Sequence, residues 1–202
     1  MKSIISLLVV LLLLGCNNNK RDTIINLNEK HQWEIFLSGK WGELAEKERK
    51  EIMERGEKLV NKQKNIETGG FKELLMLNKG DSKLMAAIGE INEKRYGKYE
   101  EAREARANYY KSVLNQDITE EVTMDTVSIK LGDVTLKNYK IKARTEKIPV
   151  INKETIISLR IYEGKLNEDQ FIIISTQTKD EEEDKELKEI IIDSKIVKMN
   201  EN

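Results

Sequence analysis

The stretch SKLMAAIGEINEKRYGKYEEAREARANYYKSVL, Ser82 to Leu114, decides what kind of fold this chain has. Leu84, Ile88, Ile91, Tyr99, Ala102, Tyr109 and Val113 recur near the spacing of one helix face. Read as a single helix, the stretch predicts a charged rod about 50 Å long, at about 1.5 Å per residue. Gly89 and Gly97 would each weaken it by about 1 kcal/mol against alanine, and one of them is expected to mark a bend. Small Ala102 and Ala105 would let a partner helix approach closely. The expected partner is an upstream helix of the same chain, in an antiparallel hairpin; pairing with another chain, as in a coiled coil, is the alternative.

That upstream helix is expected over Glu43 to Val60. Leu44, Ala45, Ile52, Met53, Leu59 and Val60 keep the helical period. Glu43 and Lys47, Glu46 and Lys50, Glu51 and Arg55, and Glu54 and Lys58 are acid-to-base pairs four apart, each worth about 0.2–0.5 kcal/mol. Asn61 and Gly69-Gly70 close it. A short apolar helix from Phe71 to Leu77 follows, and Gly80-Asp81 punctuates, with Asp81 as an N-cap. Nearer the start, Trp33, Phe36, Leu37 and Trp41 share one face of a helix and turn beginning near Asn28. With aromatics only 5% of the chain, they are expected to plug a core rather than face solvent.

After Gln116 the period changes to two. Val122 and Met124 alternate, then Val127, Ile129 and Leu131 in the opposite phase, with a bulge or turn expected near Asp125. Gly132-Asp133 is a tight hairpin turn. Val134 and Leu136 resume, then Tyr139, Ile141 and Ala143 after another slip. Thr155 to Tyr162 and Phe171 to Thr178 are β-branched runs joined through EGKLNEDQ. Apolar residues on both faces of Ile172-Ile173-Ile174 require a cover. The cover is a helix opening in the acids of Asp180 to Asp184, which suit a helix start. Leu187, Ile190, Ile191 and Ser194 share a side of it, and a short strand from Lys195 to Lys198 ends the pattern. The expected fold is therefore α+β: an N-terminal helical hairpin with a long charged helix, then a small antiparallel sheet covered by a C-terminal helix.

Lys and Arg number 35 and Asp and Glu 36, a balance that gives no reason to expect nucleic acid. The one cysteine excludes a disulfide framework within the chain and a thiolate metal site. No G-x-S-x-G, P-loop, G-x-G-x-x-G or H-E-x-x-H pattern occurs, so nucleophile, phosphate and zinc chemistry are unmarked. His31, the sole histidine, is read as structural rather than as a general base. Carboxylates are too abundant for a two-carboxylate hydrolase to be picked out. Asp180 to Asp184 lacks the spacing of a calcium loop and is read as a solvated helix start, so neither metal nor cofactor is expected. Lys140, Lys142 and Arg144 fall on one face of a strand, flanked by Lys137 and Lys147. They are either a solvated face or a site for an anionic surface such as phospholipid headgroups, glycan acids or an acidic partner.

The beginning of the chain carries an address. Met1-Lys2 is followed by an apolar run from Ile4 to Leu14 broken only by Ser6, then Gly15-Cys16. Those 11 residues reach about 16 Å as a helix, and a span needs about 30 Å. The pattern is that of a secretory signal. Leu13-Leu14-Gly15-Cys16 resembles the lipobox of bacterial lipoproteins. That resemblance implies diacylglycerol on the Cys16 sulfur, cleavage before Cys16 and fatty acylation of the new amino terminus, held stably in a membrane by several chains. Asn17 in place of aspartate implies outer-membrane sorting in enteric-type bacteria; the leaflet stays open. The final hairpin, acidic helix and Asp193 to Val197 ending resemble the tail of DcrB/PsbP-like envelope proteins, which brings no functional residues with it. The expected organisation is a signal peptide over 1–15, a flexible tether over 16–28, a helical region over 29–116 and an antiparallel α+β domain over 117–202. The expected role is a non-enzymatic binding or interaction module, lipid-anchored at the cell or outer membrane, with an envelope protein or anionic surface as partner. An inhibitor or immunity-type protein acting on an envelope hydrolase, and an unadvertised hydrolase, are the alternatives.

Overall fold

A computed structural model describes residues 20–38, 40–50, 71–115, 128–145 and 155–199. In chain order its strands are Lys20–Asn26 (β1), His31–Ser38 (β2), Gly42–Glu43 (β3), Lys72–Lys79 (β4), Ser82–Glu90 (β5), Ser128–Leu131 (β6), Val134–Thr145 (β7), Thr155–Lys165 (β8), Gln170–Thr178 (β9) and Lys195–Lys198 (β10). The helices are Glu93–Tyr96 (α1), Tyr99–Asn115 (α2) and Glu181–Asp193 (α3). Residues 46–50 are also helical.

The helical hairpin with a long charged helix does not form. Ser82–Glu90 is a strand, and it pairs with β4 on one side and β9 on the other. The reason lies in the spacing. Residues four apart, such as Leu84 and Ile88, share a face in a helix and also in a strand. Ala86 breaks the tie: it is buried with Ser82, Leu84 and Ile88 in strict alternation, whereas a helix would turn it to the far side. Gly80-Asp81 is not a helix start but the turn of the β4–β5 hairpin, with Gly80 at φ 58. Phe71 to Leu77 likewise belongs mostly to a strand, β4, bulged between Glu73 and Leu75. Helix resumes only at α1, and the expected break falls at Gly97, whose φ of 73 separates α1 from α2. The rod expected to pair as a coiled coil is thus strand over its first nine residues and helix only from Glu93 onward.

Two sheets result. β1, β2 and β10 make a three-stranded sheet ordered β1-β2-β10, and the seven-stranded sheet runs β3-β4-β5-β9-β8-β7-β6. All pairings are antiparallel. Strands from both sides of residue 116 therefore share one sheet. β1 also occupies most of what reads as tether in the sequence.

The inner face of the large sheet carries Leu84, Ala86, Ile88, Ile172, Ile174, Tyr162 and Leu136, and it packs against Trp33, Ile35 and Leu37 of β2 and Leu187, Ile190 and Ile191 of α3. Trp33 and Leu37 do plug the core, as their size requires, but from a strand; Phe36 alternates to the other face. α3 covers the inner face as expected, with Leu187 and Ile191 fully buried. Its N-cap is Asp180, whose carboxylate accepts from the backbone N–H of Glu182 at 2.8 Å and Glu183 at 3.0 Å. Gly132-Asp133 turns β6 into β7, as expected. The turn tucks against β10, where a Cβ on Gly132 would collide with the Ile196 carbonyl oxygen, so the position requires glycine for both its φ of 62 and its space.

Candidate functional site

Three groups of polar residues have geometry worth chemical scrutiny. The first lies on the inner face where α3 begins. The Arg160 guanidinium meets both Asp184 oxygens at 2.7 Å, with both side chains buried. Beside it Ser82 Oγ donates to Thr178 Oγ1 at 2.9 Å and also pairs with the Glu183 carboxylate. Register explains the cluster: Arg160 stands opposite Thr176, and Ser158 opposite Thr178, so a polar row replaces the apolar one at this end. The ring of contacts clamps the start of α3 to the sheet. It leaves Ser82, fully buried, no approach to a substrate.

The second lies on the outer face under α2. Glu163, 1% exposed, pairs with Arg106. The same guanidinium lies 4.5 Å from the Phe171 ring centroid. Tyr99 packs on Phe171 at 5.7 Å and Phe71 meets it edge-on at 5.8 Å. Gly89 makes room for this group, since a Cβ there would strike the Phe171 ring. Burial, then the Glu163 charge, push the Tyr99 hydroxyl well above the usual phenol range, so it stays protonated. These contacts fasten α2 to the sheet.

The third is an open depression of about 570 Å³ lined by Glu90, Ile91, Asn92, Glu93, Lys94, Glu168, Asp169 and Gln170. Its floor is tied by the Ile91 N–H to the Asp169 carbonyl at 2.7 Å. The β8–β9 turn at its rim is locked by Leu166 N–H to Gln170 O at 2.9 Å and Asp169 N–H to Asn167 Oδ1 at 2.8 Å. No group of His, Cys, Asp and Glu among the described residues could hold a metal ion. Within Asp180 to Asp184, Asp180 caps the helix, Glu183 bonds Ser82, Asp184 bonds Arg160, and Glu181 and Glu182 are exposed.

His31 is buried on β2, next to the β1–β2 turn. Its Nδ1 lies 3.1 Å from Asn28 Oδ1, and since that oxygen can only accept, Nδ1 carries the proton. Nε2 is buried with no hydrogen-bond partner. Burial first, and Lys198 second, hold the imidazole below its ordinary value. A group so lowered binds fewer protons folded than unfolded, so stability is full above about pH 6.5 and falls as pH drops through that value. Melting temperature is expected to fall between about pH 7.5 and about pH 5, and His31→Gln to flatten that part of the profile. An unchanged profile in the variant would assign the loss to other groups.

The basic residues Lys140, Lys142 and Arg144 lie on β7, opposite Arg160, Ser158 and Ile156 of β8. The register sets the Lys140 position directly beside Arg160 on the neighbouring strand, and the side chains of all three lie outside the described ones. Cys16 lies outside the described residues. Sequence reasoning passed over Arg160, Glu163 and Asp184. The signal was present for two of them: Arg160 and Glu163 are charges inside or beside a β-branched run. Asp184 was hidden among four other acids, though it stands three and seven residues before Leu187 and Ile191.

No known protein family matches the sequence, and no curated protein matches it; the DcrB/PsbP-like resemblance of the tail gains no support. Among solved structures the chain is similar to LpqN, described as involved in cell envelope biogenesis of Mycobacterium tuberculosis. Identity is 9%, the TM-score 0.47, and the match covers 90% of this chain and 93% of that one. A likeness this distant carries neither fold nor role across. Among the described residues, no helix is long and apolar enough to cross a membrane.

Proposed function

We propose that this is a lipid-anchored protein of the bacterial cell envelope, acting as a non-enzymatic binding module at the membrane surface. The observation that carries the reading is Leu13-Leu14-Gly15-Cys16, set just ahead of a folded body whose first strand begins at Lys20. Two arginine–carboxylate pairs with buried carboxylates, Arg160 with Asp184 and Arg106 with Glu163, fasten helices to the sheet, which favours a structural over a catalytic use of them. Cys16→Ala is expected to abolish incorporation of labelled palmitate in a bacterial host and to move the protein out of the membrane fraction. Labelling that persists in that variant overturns the lipid anchor.

One observation favours a second reading, an inhibitor of an envelope hydrolase. The locked β8–β9 turn presents Glu168 at its tip, with 90% of the side chain exposed, the form an acid would take if it entered a foreign cleft. Envelope-hydrolase activity suppressed by the purified chain and restored by Glu168→Lys would establish it.

A further inference from the structure

β2 turns His31, Trp33, Ile35 and Leu37 to the core, so one titratable side chain ends an otherwise apolar row. The hydrogen bonds around that side chain cross from the small sheet to the large one. His31 Nδ1–H donates to Asn28 Oδ1 at 3.1 Å. The same oxygen accepts from the Lys30 backbone N–H at 2.8 Å. Asn28 Nδ2 donates to Gln170 Oε1 at 2.7 Å, which also accepts from Asn167 Nδ2 at 3.3 Å. The β1–β2 turn is thereby fastened to the β8–β9 turn, and Gln170 is part of the wall of the open depression. The backbone closes on the same histidine: the Leu27 and Asn28 N–H groups both donate to the His31 carbonyl, at 3.0 Å and 3.3 Å.

A further proton on this ring has to sit on Nε2, since Nδ1 already carries one. Nε2 is buried with no acceptor among the described residues, so an imidazolium in place would strand an N–H as well as bury a charge. The charged groups that bear on the ring come from three elements. Lys198 of β10, opposite His31 in the register, and Lys30 of the β1–β2 turn oppose a positive ring, whereas Asp133 of the β6–β7 turn favours it. Burial outweighs each of them, so the ring is harder to protonate in place than in water. Moving the ring into water removes that penalty. The motion gives up the bond to Asn28 and the closure of a turn whose Glu29 and Lys30 are already exposed.

We propose that protonation of His31 unlatches the β1–β2 turn from the β8–β9 turn and loosens the wall of the depression at Gln170. This goes beyond the lipid-anchor reading and does not depend on it. Once open, the ring titrates near its ordinary value of about 6.5, whereas the closed ring takes its proton only at lower pH. Opening is therefore favoured as pH falls below about 6.5, by about tenfold at about pH 5.5 relative to about pH 7.5 while the closed ring stays neutral. The response is confined to the turns. Trp33, Ile35 and Leu37 have nothing to titrate, and they hold the rest of β2 in the core. The β8–β9 turn keeps its own bonds, Leu166 N–H to Gln170 O and Asp169 N–H to Asn167 Oδ1, so it is released as a formed unit.

Amide exchange followed by NMR on the full isotope-labelled chain tests the latch, with rates corrected for the ordinary pH dependence of exchange. Protection of the Leu27 and Asn28 N–H groups is expected to fall about tenfold between about pH 7.5 and about pH 5.5. Low urea should hardly change it, as befits a local opening. The Gln170 side-chain amide resonances should shift along the same curve as the His31 ring. A urea dependence as steep as that of the β5 amides would mean opening of the whole molecule and overturns the latch. So does a His31 titration that leaves the Gln170 resonances in place. His31→Gln keeps a side-chain N–H for Asn28 but no longer titrates, and is expected to hold the protection constant over the same range. The same fall in that variant gives the response to other groups and overturns the proposal. Asn28→Ala keeps the histidine and removes the latch. Its Leu27 N–H is expected to be as poorly protected at the higher pH as the unaltered chain is at the lower; protection equal to that of the unaltered chain at the higher pH overturns the part given to Asn28.

Discussion

Asp184→Ala is expected to destabilise the folded chain by about 3–5 kcal/mol, because it leaves the Arg160 guanidinium buried without the carboxylate that accepts from its Nε and one Nη. Arg160 is 6% exposed and Asp184 also 6%, so water cannot take over the lost bonds without opening the start of α3. The penalty comes from stranding a charge rather than from the worth of the pair. Replacing both partners with apolar residues of similar size, Arg160→Met with Asp184→Leu, is therefore expected to recover most of the loss. Asp180→Ala is the control on the same helix turn. It removes a cap bonded to two backbone N–H groups and should cost only about 1 kcal/mol. Urea melts of the four proteins decide the matter. A loss for Asp184→Ala no larger than that for Asp180→Ala would mean that Arg160 finds water or another partner.

Trp33→Ala should cost about 3–5 kcal/mol by emptying the largest fully buried side chain of the core. The site has a polar part that can be separated from the packing. Trp33 Nε1 donates to Ser194 Oγ at 2.9 Å, and that hydroxyl donates in turn to the Ile191 carbonyl at 2.7 Å. The serine is the C-cap of α3, so one bond ties the small sheet to the end of the helix that covers the large one. Trp33→Phe keeps most of the apolar contact and loses that bond, for which about 1–2 kcal/mol is expected. Ser194→Ala strands the indole N–H and should fall in the same range. If Trp33→Ala proves no worse than Trp33→Phe in denaturant melts, the two sheets do not share one core.

How far the sequence discloses this fold depends on which period each stretch obeys. In the second half, the period of two about the Gly132-Asp133 turn places β6 and β7, β-branched runs place β8 and β9, and the acids ahead of Leu187 place α3. In the first half the same reasoning fails at Ser82 to Glu90. Leu84 and Ile88 satisfy both periods, and Lys83 and Glu90 carry the charges a helix surface would. What makes this segment a strand is the pairing of both its edges, with β4 and with β9, and β9 lies about eighty residues further on. No local signal reports such a partner. The aromatic cluster at the start misleads in the same way. Trp33 and Leu37 are four apart, and only the burial of His31 and Ile35 between and beside them reveals alternation. Of the candidate positions, Lys140, Lys142 and Arg144 were legible as alternate positions of one strand, but not that Arg160 stands beside Lys140 on the next. The fastening pairs were obscured because each joins distant segments, and a lone charge in an apolar run signals burial without naming its mate.

β2 is flanked by β1 on one side and by β10 on the other, and more than 150 residues of chain lie between those two pairings. A ribosome delivers the first partner at once and the second more than 150 residues later. Until then Trp33 and its neighbours lack both the closing strand and the helix that precedes it. Contacts this remote in sequence form slowly. Closure of the small sheet therefore waits on a strand that leaves the ribosome more than 150 residues after β2.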